Sequence, residues 1–204
     1  MSFAPFLVRT GAAAAIPAAN VDTDVIMPKQ FLKGIDRAGL DKGLFHGLRF
    51  AASGAPNPDF VLNKAPWAKA RFLVVGPNFG CGSSREHAAW GLKQFGIEAL
   101  IGTSFAGIFF DNCARNGLLA IEAREDIVDA LMAIASDADD NVLSIDLPNQ
   151  TIAARGRVFE FEIESGRKDA ISRGLDAIGL TLENRDAIAA FEARHFSQNP
   201  WLEL

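Results

Sequence analysis

One segment of this chain concentrates residue types that could bind and activate an anion. It spans residues 79–87 and reads FGCGSSREH. Glycines allow the backbone to turn tightly and to approach a ligand closely. Arg85 adds a planar, permanently charged fork that suits a carboxylate, and a helix beginning at Ser83 would add unpaired N–H groups and a partial positive charge. The segment therefore predicts a binding site for an anion, with a carboxylate as the best match.

The same residues also fit other roles, which stay open at this point. Ser83 and Glu86 have the spacing of a capping box, a structural role that does not exclude function. Cys81 fits either a nucleophile at a helix terminus or a small spacer in a glycine loop. His87 fits a packed helix residue better than a base. The segment lacks the second glycine of the serine-hydrolase elbow G-x-S-x-G, so that chemistry is not favoured.

A second cluster places two acids around a threonine. It reads NVDTD at residues 20–24 and is followed by PKQFLK at residues 28–33. The acids suggest a calcium loop, but EF-hand spacing fails because no Asp, Asn or Gly follows at the required positions and no Glu closes the loop. The spacing instead indicates a turn stabilised by hydrogen bonds from the Asp side chains.

The composition excludes several kinds of site and partner. The 204 residues include three His, two Cys and no Tyr, which excludes a catalytic tyrosine and leaves too few thiolates for a structural zinc or an iron–sulfur cluster. The formal net charge of −5 predicts no broad positive face for nucleic acid. The sequence has no apolar run of the roughly 18 residues that a membrane span needs, so no span is expected. We also expect no signal peptide, because a basic region followed by an apolar region is missing near residue 1. Two cysteines without a spacing pattern fit a reducing compartment, so we expect a cytoplasmic protein.

Apolar runs alternate with helical periodicity in the middle of the chain, around the two clusters. This alternation predicts an α/β core with parallel strands. The predicted order is a strand at 72–75, a helix at 83–95 with Gly96 as its C-cap, a strand at 99–101, a helix at 105–116, a strand at 118–121 and a helix at 125–136.

The remainder predicts an antiparallel edge and a helical end. A strand is expected at 142–147, and an antiparallel pair around Ile152 and residues 158–163, joined near Arg155-Gly156. From about residue 168 to 204 the pattern is helical, and we expect this segment to pack on a single domain of residues 1–204.

Four motifs in order resemble the family of bacterial 3-isopropylmalate dehydratase small subunits, which is similar to the C-terminal swivel domain of aconitase. The likeness runs nearly from end to end. The resemblance implies an aconitase-like swivelling β/β/α domain with a mixed, partly parallel sheet flanked by helices. The motifs are NVDTD at 20–24 with PKQFLK at 28–33, NPDFVLN at 57–63, NFGCGSSREHA at 78–88 and DAIGLTL at 176–182.

The family resemblance also implies an activity and a partner. It implies isomerisation of 2-isopropylmalate to 3-isopropylmalate by dehydration and rehydration, a step of leucine biosynthesis. The substrate is a small dicarboxylate, and the chain is active only with a large subunit, in a heterodimer or a higher assembly. The [4Fe-4S] cluster of such enzymes is held by the large subunit, so no metal is expected in this chain.

The resemblance assigns roles to residues of the two clusters. Ser83 matches the base that removes the proton next to a carboxylate, and Ser84 and Arg85 match residues that hold a substrate carboxylate. Thr23 and Asp24 match a segment that lines the cleft, with Asp24 as its acid in contact with the site.

A third group of expected contacts follows the acidic cluster. Lys33 stands where aconitase-like chains carry an arginine, so a point charge replaces a fork there. Leu32 would suit a branched aliphatic group, since filling an apolar pocket distinguishes substrates by roughly 1–3 kcal/mol per methylene.

Two other functions remain open on the sequence. A small subunit of a related hydro-lyase could act on another substituted malate, such as homoaconitate or dimethylmalate, and would differ near Leu32. A non-catalytic anion-binding module could keep the swivel fold. The presence of Ser83 together with Arg85 argues against this last alternative, because a scaffold needs only a capping residue there.

Overall fold

A mixed β-sheet forms the centre of the molecule. The computed structural model describes residues 3–32 and 37–202, and Lys33 therefore lies outside the described residues. The strands are β1 (Val8–Ile16), β2 (Phe72–Val75), β3 (Ala99–Gly102), β4 (Leu119–Glu122), β5 (Val142–Asp146), β6 (Thr151–Ala154) and β7 (Arg157–Glu160). In this part of the chain they form one sheet in the order β4-β3-β2-β1-β5-β6-β7.

The sheet is parallel on one side of β1 and antiparallel on the other. β1, β2, β3 and β4 pair in parallel, while β5 runs antiparallel to β1 and continues through β6 to β7. All residues of β2 and β3 are buried, as expected for parallel strands covered on both faces. The predicted mixed, partly parallel sheet is confirmed.

Helices cover both faces of the sheet. They are α1 (Thr23–Ile26), α2 (His46–Arg49), α3 (His87–Phe95), α4 (Gly107–Arg115), α5 (Glu125–Ala135), α6 (Ser165–Arg173), α7 (Ala177–Leu182) and α8 (Arg185–Gln198). Single 3-10 turns lie at Lys29–Phe31, Leu40–Lys42, Val61–Asn63, Trp67–Lys69 and Pro200–Leu202. None of the helices in the described ranges is long and apolar enough to span a membrane.

The side chains of β2 alternate between two apolar cores. Leu73 and Val75 face the core that includes α3 and α4, whereas Phe72 and Val74 face the core that includes α5. This alternation is the two-residue period of a strand. It fixes β2, and the loop that follows it, between two packed layers.

β1 is a strand that was not predicted from the sequence. Its central residues are Gly11 and four alanines at 12–15, which have low intrinsic strand preference. Tertiary packing requires small residues here, since a Cβ on Gly11 would lie 2.5 Å from Cδ of Arg71. Strand position is therefore decided by neighbours that the local pattern does not reveal.

The prediction that a helix begins at Ser83 is wrong. α3 begins at His87, with Glu86 as its N-cap and no hydrogen bond from the Glu86 side chain to the helix end. The other end is confirmed, because Gly96 adopts a left-handed conformation and its N–H donates to the carbonyls of Leu92 and Lys93. Ser83 is therefore free for other contacts.

The C-terminal segment begins packed and ends exposed. Packing is predicted from about residue 168, and α6 does bury Ile171. The Phe3 N–H also donates to the Gly174 carbonyl at 3.1 Å. Residues 180–194, by contrast, are all exposed.

Candidate active site

Three loops meet at the carboxyl ends of the parallel strands. The loop after β2 forms an isolated bridge with the loop after β1 (Asp22 with Cys81) and another with the loop after β3 (Phe79 with Phe105). The Asn78 N–H donates to Ser104 Oγ at 3.0 Å. This edge is where ligands bind in open α/β sheets, and it brings the two sequence clusters together.

Gly80 permits the close approach of the loop to α4. Its φ is +80°, and a Cβ built there would lie 2.2 Å from the Phe109 ring. Gly82 also has a positive φ, of +106°. Only glycine adopts such conformations at little cost, so the glycines shape the turn that presents Ser83.

Ser83 lies between the two clusters, held by backbone and side-chain contacts. Its N–H donates to Thr23 Oγ1 at 3.0 Å, and the Thr23 N–H donates to the Cys81 carbonyl at 2.7 Å. Thr23 is only 5% exposed. The acidic cluster and the glycine loop are therefore joined at the residue that the family resemblance assigns as the base.

The Ser83 hydroxyl accepts hydrogen bonds from Arg85. Arg85 donates through its backbone N at 3.2 Å and through Nε at 3.0 Å. Of the roles left open for Ser83, the capping box with Glu86 does not form, because Ser83 Oγ is engaged by Arg85 before the helix begins. A cationic donor and an amide donor both stabilise negative charge on that oxygen.

Asp24 links the cations at the mouth of the site. Its carboxylate lies 3.2 Å from Lys29 Nζ and 3.9 Å from Arg85 Nη2. These side chains are about half exposed or more, and exposed ion pairs contribute only about 0–1 kcal/mol. A ligand carboxylate can therefore replace Asp24 as the partner of Arg85. The acidic cluster itself is not a metal loop, since the Asp22 side chain caps α1 by accepting from the Val25 N–H.

An open cleft of about 460 Å³ lies over these groups. Its lining residues are Asp22, Thr23, Asp24, Lys29, Gly82, Ser83, Ser84 and Arg85. A small depression beside it is lined by Leu32, Met27 and the first two residues of α3, His87 and Ala88, together with Thr23, Asp24, Ser83 and Arg85. The structure thus brings together Ser83, Ser84, Arg85, Thr23, Asp24 and Leu32; Lys33 lies outside the described residues.

Volume alone does not identify this cleft as the site. A larger cleft, of about 560 Å³, is lined by Glu122, Glu160 and Glu162 among others, and its carboxylates would repel a dicarboxylate. Another, of about 310 Å³, lies between α4 and α6. The cleft at Ser83 is favoured because it combines a hydroxyl with the cations of Arg85 and Lys29.

α4 holds the loop from beneath through two asparagines. Asn112 is 3% exposed and donates through Nδ2 to the Ser84 carbonyl at 3.1 Å. Asn116 donates through Nδ2 to Glu86 Oε1 at 2.9 Å and accepts from Trp90 Nε1 at 2.8 Å. Asn112, Asn116 and Lys29 were not predicted from the sequence. Both asparagines lie within a predicted helix, where polar residues are ordinary.

His87 is a packed helix residue, as predicted. Its ring lies 4.7 Å from Trp90 between centroids, and its buried Nδ1 has no hydrogen-bond partner among the described residues. Burial lowers the pKa of His87, as does the positive charge of Arg85, with Glu86 opposing. Both effects favour the neutral form of the imidazole beside the cleft.

The two cysteines differ in burial and position. Cys113 is completely buried on α4, and burial raises the pKa of its thiol. Cys81 lies in the loop, with its Sγ 3.5 Å from the Asn20 carbonyl. Across residues 3–32 and 37–202, no group of three or more His, Cys, Asp or Glu side chains could hold a metal ion.

Family comparisons agree with this geometry. Residues 3–126 match the aconitase C-terminal domain, and residues 178–203 match the C-terminal domain of the 3-isopropylmalate dehydratase small subunit. The first match contains both clusters of the cleft.

Individual relatives cover nearly the whole chain. The 3-isopropylmalate dehydratase small subunit 1 of Mannheimia succiniciproducens is 54% identical over 98% of each chain. The 3-isopropylmalate dehydratase small subunit of Rhodospirillum rubrum is 51% identical over 98% of this chain and 97% of the relative. A crystal structure of a 3-isopropylmalate dehydratase from Methanocaldococcus jannaschii superposes with a TM-score of 0.67, at 27% identity, over 91% of this chain and 99% of that one.

Proposed function

This chain belongs to the 3-isopropylmalate dehydratase small subunits, hydro-lyase components of leucine biosynthesis, and from this premise we propose that the cleft at Ser83 is its contribution to the active site. The observation that supports the proposal most directly is the donation of Arg85 Nε to Ser83 Oγ at 3.0 Å. A serine hydroxyl is a weak base, and it needs such a neighbour to become a proton acceptor.

In the proposed reaction, Ser83 Oγ takes the proton from the carbon next to a carboxylate of 2-isopropylmalate. The electron pair of that C–H bond forms the alkene as the hydroxyl on the adjacent carbon leaves, and a proton donor on the large subunit converts this hydroxyl to water. Rehydration of the alkene in the other orientation returns a proton to carbon and gives 3-isopropylmalate. The side chain and the backbone N–H of Arg85 stabilise the Ser83 oxyanion, and the Arg85 side chain also stabilises the negative charge that develops on the substrate.

Arg85 and Ser84 hold a substrate carboxylate in this proposal. The Arg85 side chain is 48% exposed and its contact with Asp24 is long, at 3.9 Å. A bidentate bond to a carboxylate is stronger than this contact. Thr23 positions Ser83, and Asp24 orients Arg85 and Lys29 until substrate arrives. Leu32, in the depression beside the cleft, faces the alkyl group of the substrate.

The site is completed by a large subunit in this proposal, because the relatives that cover nearly the whole chain are named small subunits. The donor set does not fit an iron–sulfur cluster, which takes three or four thiolates, whereas the chain has two cysteines and one is completely buried. We place the cluster on the large subunit for that reason. Both thiols are free of a disulfide, which fits a cytoplasmic location.

Reconstitution with the large subunit under anaerobic conditions tests the proposal. Alkene formation from 2-isopropylmalate should require both chains, and Ser83→Ala should reduce turnover by at least about 100-fold, the range of general base catalysis. Ser136→Ala is the matched control, since Ser136 is exposed at the end of α5. Turnover by this chain alone, or undiminished turnover by the Ser83→Ala pair, would contradict the proposal.

A further inference from the structure

The last helices of the chain expose an apolar surface that the rest of the described chain does not cover. We define the C-terminal arm as residues 177–202, which comprise α7, α8 and the 3-10 turn Pro200–Leu202. All residues from 180 to 194 are exposed. Large apolar side chains are among them or adjoin them: Ile178, Leu180, Leu182, Ile188, Phe191, Trp201 and Leu202.

Two exposed apolar residues of α8, Ile188 and Phe191, share a face with His195. Ile188, Phe191 and His195 are spaced by three and four residues, which places them side by side on a helix. The rings of Phe191 and His195 stack at 5.4 Å, and Phe191 is 54% exposed. Trp201, at 76% exposed, follows at the end of the arm. Exposed aromatic residues of this kind are typical anchors of protein interfaces.

α8 buries no residue within the part of the chain that the structure describes. A helix of its length is marginal in water, and helices in proteins are stabilised mainly by burying an apolar face. Apolar side chains are nevertheless exposed on both helices of the arm, Ile178 and Leu182 on α7 and Ile188 and Phe191 on α8. This exposure favours a partner that covers them.

The base of the arm adjoins the proposed active site. A cavity of about 350 Å³ is lined on one side by Ala177 and Ile178 of the arm and on the other by Glu86 and Asn116. Glu86 follows Arg85 directly and is held by Asn116 at 2.9 Å. A partner that closes the cleft over Ser83 is therefore next to the start of the arm.

From this continuity we infer that the arm is a docking element for the large subunit, which covers the apolar faces of α7 and α8 with an apolar groove of its own. The inference rests on the proposed function, which requires that subunit over Ser83. The arm also coincides with residues 178–203, which match the C-terminal domain of the 3-isopropylmalate dehydratase small subunit, whereas the aconitase domain match ends at residue 126. The arm thus lies in the part of the chain that is described for the small subunits themselves.

Charged substitutions on the arm test the inference in the full-length protein. Ile188→Glu with Phe191→Glu changes exposed side chains, so folding is retained, as circular dichroism will check. We expect the Kd for the large subunit to rise by at least about tenfold, the effect of losing one interface anchor. Saturating large subunit should restore kcat to within about twofold, because neither residue lines the cleft. Val158→Glu on β7, where Val158 is 66% exposed, is the control and should leave the Kd unchanged.

Hydrogen exchange gives a second measurement that does not depend on activity. Amides of residues 185–198 should exchange more slowly in the complex with the large subunit than in the isolated chain. An unchanged Kd for the double variant, unchanged exchange in a saturated complex, or an effect confined to self-association of this chain would overturn the inference. An active wild-type pair with any of these results would still uphold the proposed function, whereas an inactive pair with weakened binding would uphold only the docking role.

Discussion

At the scale of single residues, the site depends on a pair of neighbours in the sequence whose geometry is set by a distant residue. Ser83 and Arg85 are two positions apart, but the orientation of Ser83 depends on Thr23, which is sixty positions away and binds the Ser83 N–H. The chemistry of the pair is local, while its geometry is tertiary. Substitutions at and beneath the pair should therefore have different kinetic signatures.

Arg85→Lys should impair both binding and turnover. Lysine keeps the charge but loses the planar fork and the Nε–H that reaches Ser83 Oγ. A hydrogen bond to a charged group contributes about 1.5–3 kcal/mol, so kcat/KM for 2-isopropylmalate should fall by about 10- to 100-fold. Arg124→Lys is the control, because Arg124 pairs with Asp126 at an exposed position. An Arg85→Lys pair with wild-type kcat/KM would remove Arg85 from the site.

Asn112→Ala should lower kcat while leaving KM nearly unchanged. Asn112 touches the backbone of Ser84 and lies outside the cleft lining, so its loss would shift the loop without removing a substrate contact. Loss of this hydrogen bond to the Ser84 carbonyl should also lower the free energy of unfolding by about 1–3 kcal/mol, which urea unfolding measures. Asn141→Ala, the control, removes another buried asparagine, whose Nδ2 has no hydrogen-bond partner in the described part of the chain. If both variants keep wild-type kcat, Asn112 has only a structural role.

His87 should make the stability of the protein sensitive to mild acid. Burial lowers its folded-state pKa below the ordinary value of 6.5, so the unfolded chain takes up the proton first. The free energy of unfolding should therefore fall as pH decreases from about 6.5 toward the folded-state pKa. His87→Gln should remove this part of the pH dependence, measured by urea unfolding at several pH values. An identical pH dependence in both proteins would contradict the assignment.

At the scale of elements, α4 supports the loop at residues 78–86 that carries Ser83. Phe109 packs against Gly80, and two asparagines at α4 and its C-cap bind the loop that precedes α3. The position of the loop is therefore set by α4 and not by α3, the helix that comes after the loop in the sequence. The loop approaches α4 closely at Gly80, where a Cβ would overlap the Phe109 ring.

Gly80→Ala should destabilise the protein by about 2–4 kcal/mol, through the positive φ and the overlap with Phe109. Gly107→Ala supplies the matched control on α4. A Cβ there meets nothing within 4 Å, so the substitution should stabilise by about 0.5–1 kcal/mol. Both changes in the free energy of unfolding can be measured by urea unfolding followed by circular dichroism. Equal effects of the two substitutions would show that α4 does not support the loop as described.

Elements with a strong local pattern were predictable, and those set by distant contacts were not. The apolar run at Phe72–Val75 and the Arg155-Gly156 turn are read directly from the sequence, and both are confirmed. The small residues of β1 form a strand because its neighbours leave little room there, as Arg71 does at Gly11. Ser83 and Glu86 match a capping box in spacing, but Arg85 and Asn116 engage them instead.

At the scale of the whole molecule, the cleft at Ser83 and the base of the C-terminal arm lie near each other. The carboxyl ends of the parallel strands hold the cleft, and the cavity beside Glu86 connects that edge to the C-terminal arm. The motifs at 20–33 and 78–88 together predicted most of the residues that line the cleft, whereas Lys29 was not predicted. The exposure of the arm was not predictable, because helical periodicity is the same whether the covering surface belongs to this chain or to another.

The proposed function depends most directly on transfer of the substrate proton to Ser83, and isotope release measures this transfer. 2-Isopropylmalate carrying deuterium on the carbon next to the carboxylate is mixed in a single turnover with the reconstituted complex, and deuterium appearing in water is followed. The wild-type complex should release it at the rate of alkene formation. The Ser83→Ala complex should release it at least about 100-fold more slowly, with substrate affinity within about threefold of wild type. Release at the wild-type rate from the Ser83→Ala complex would contradict the account.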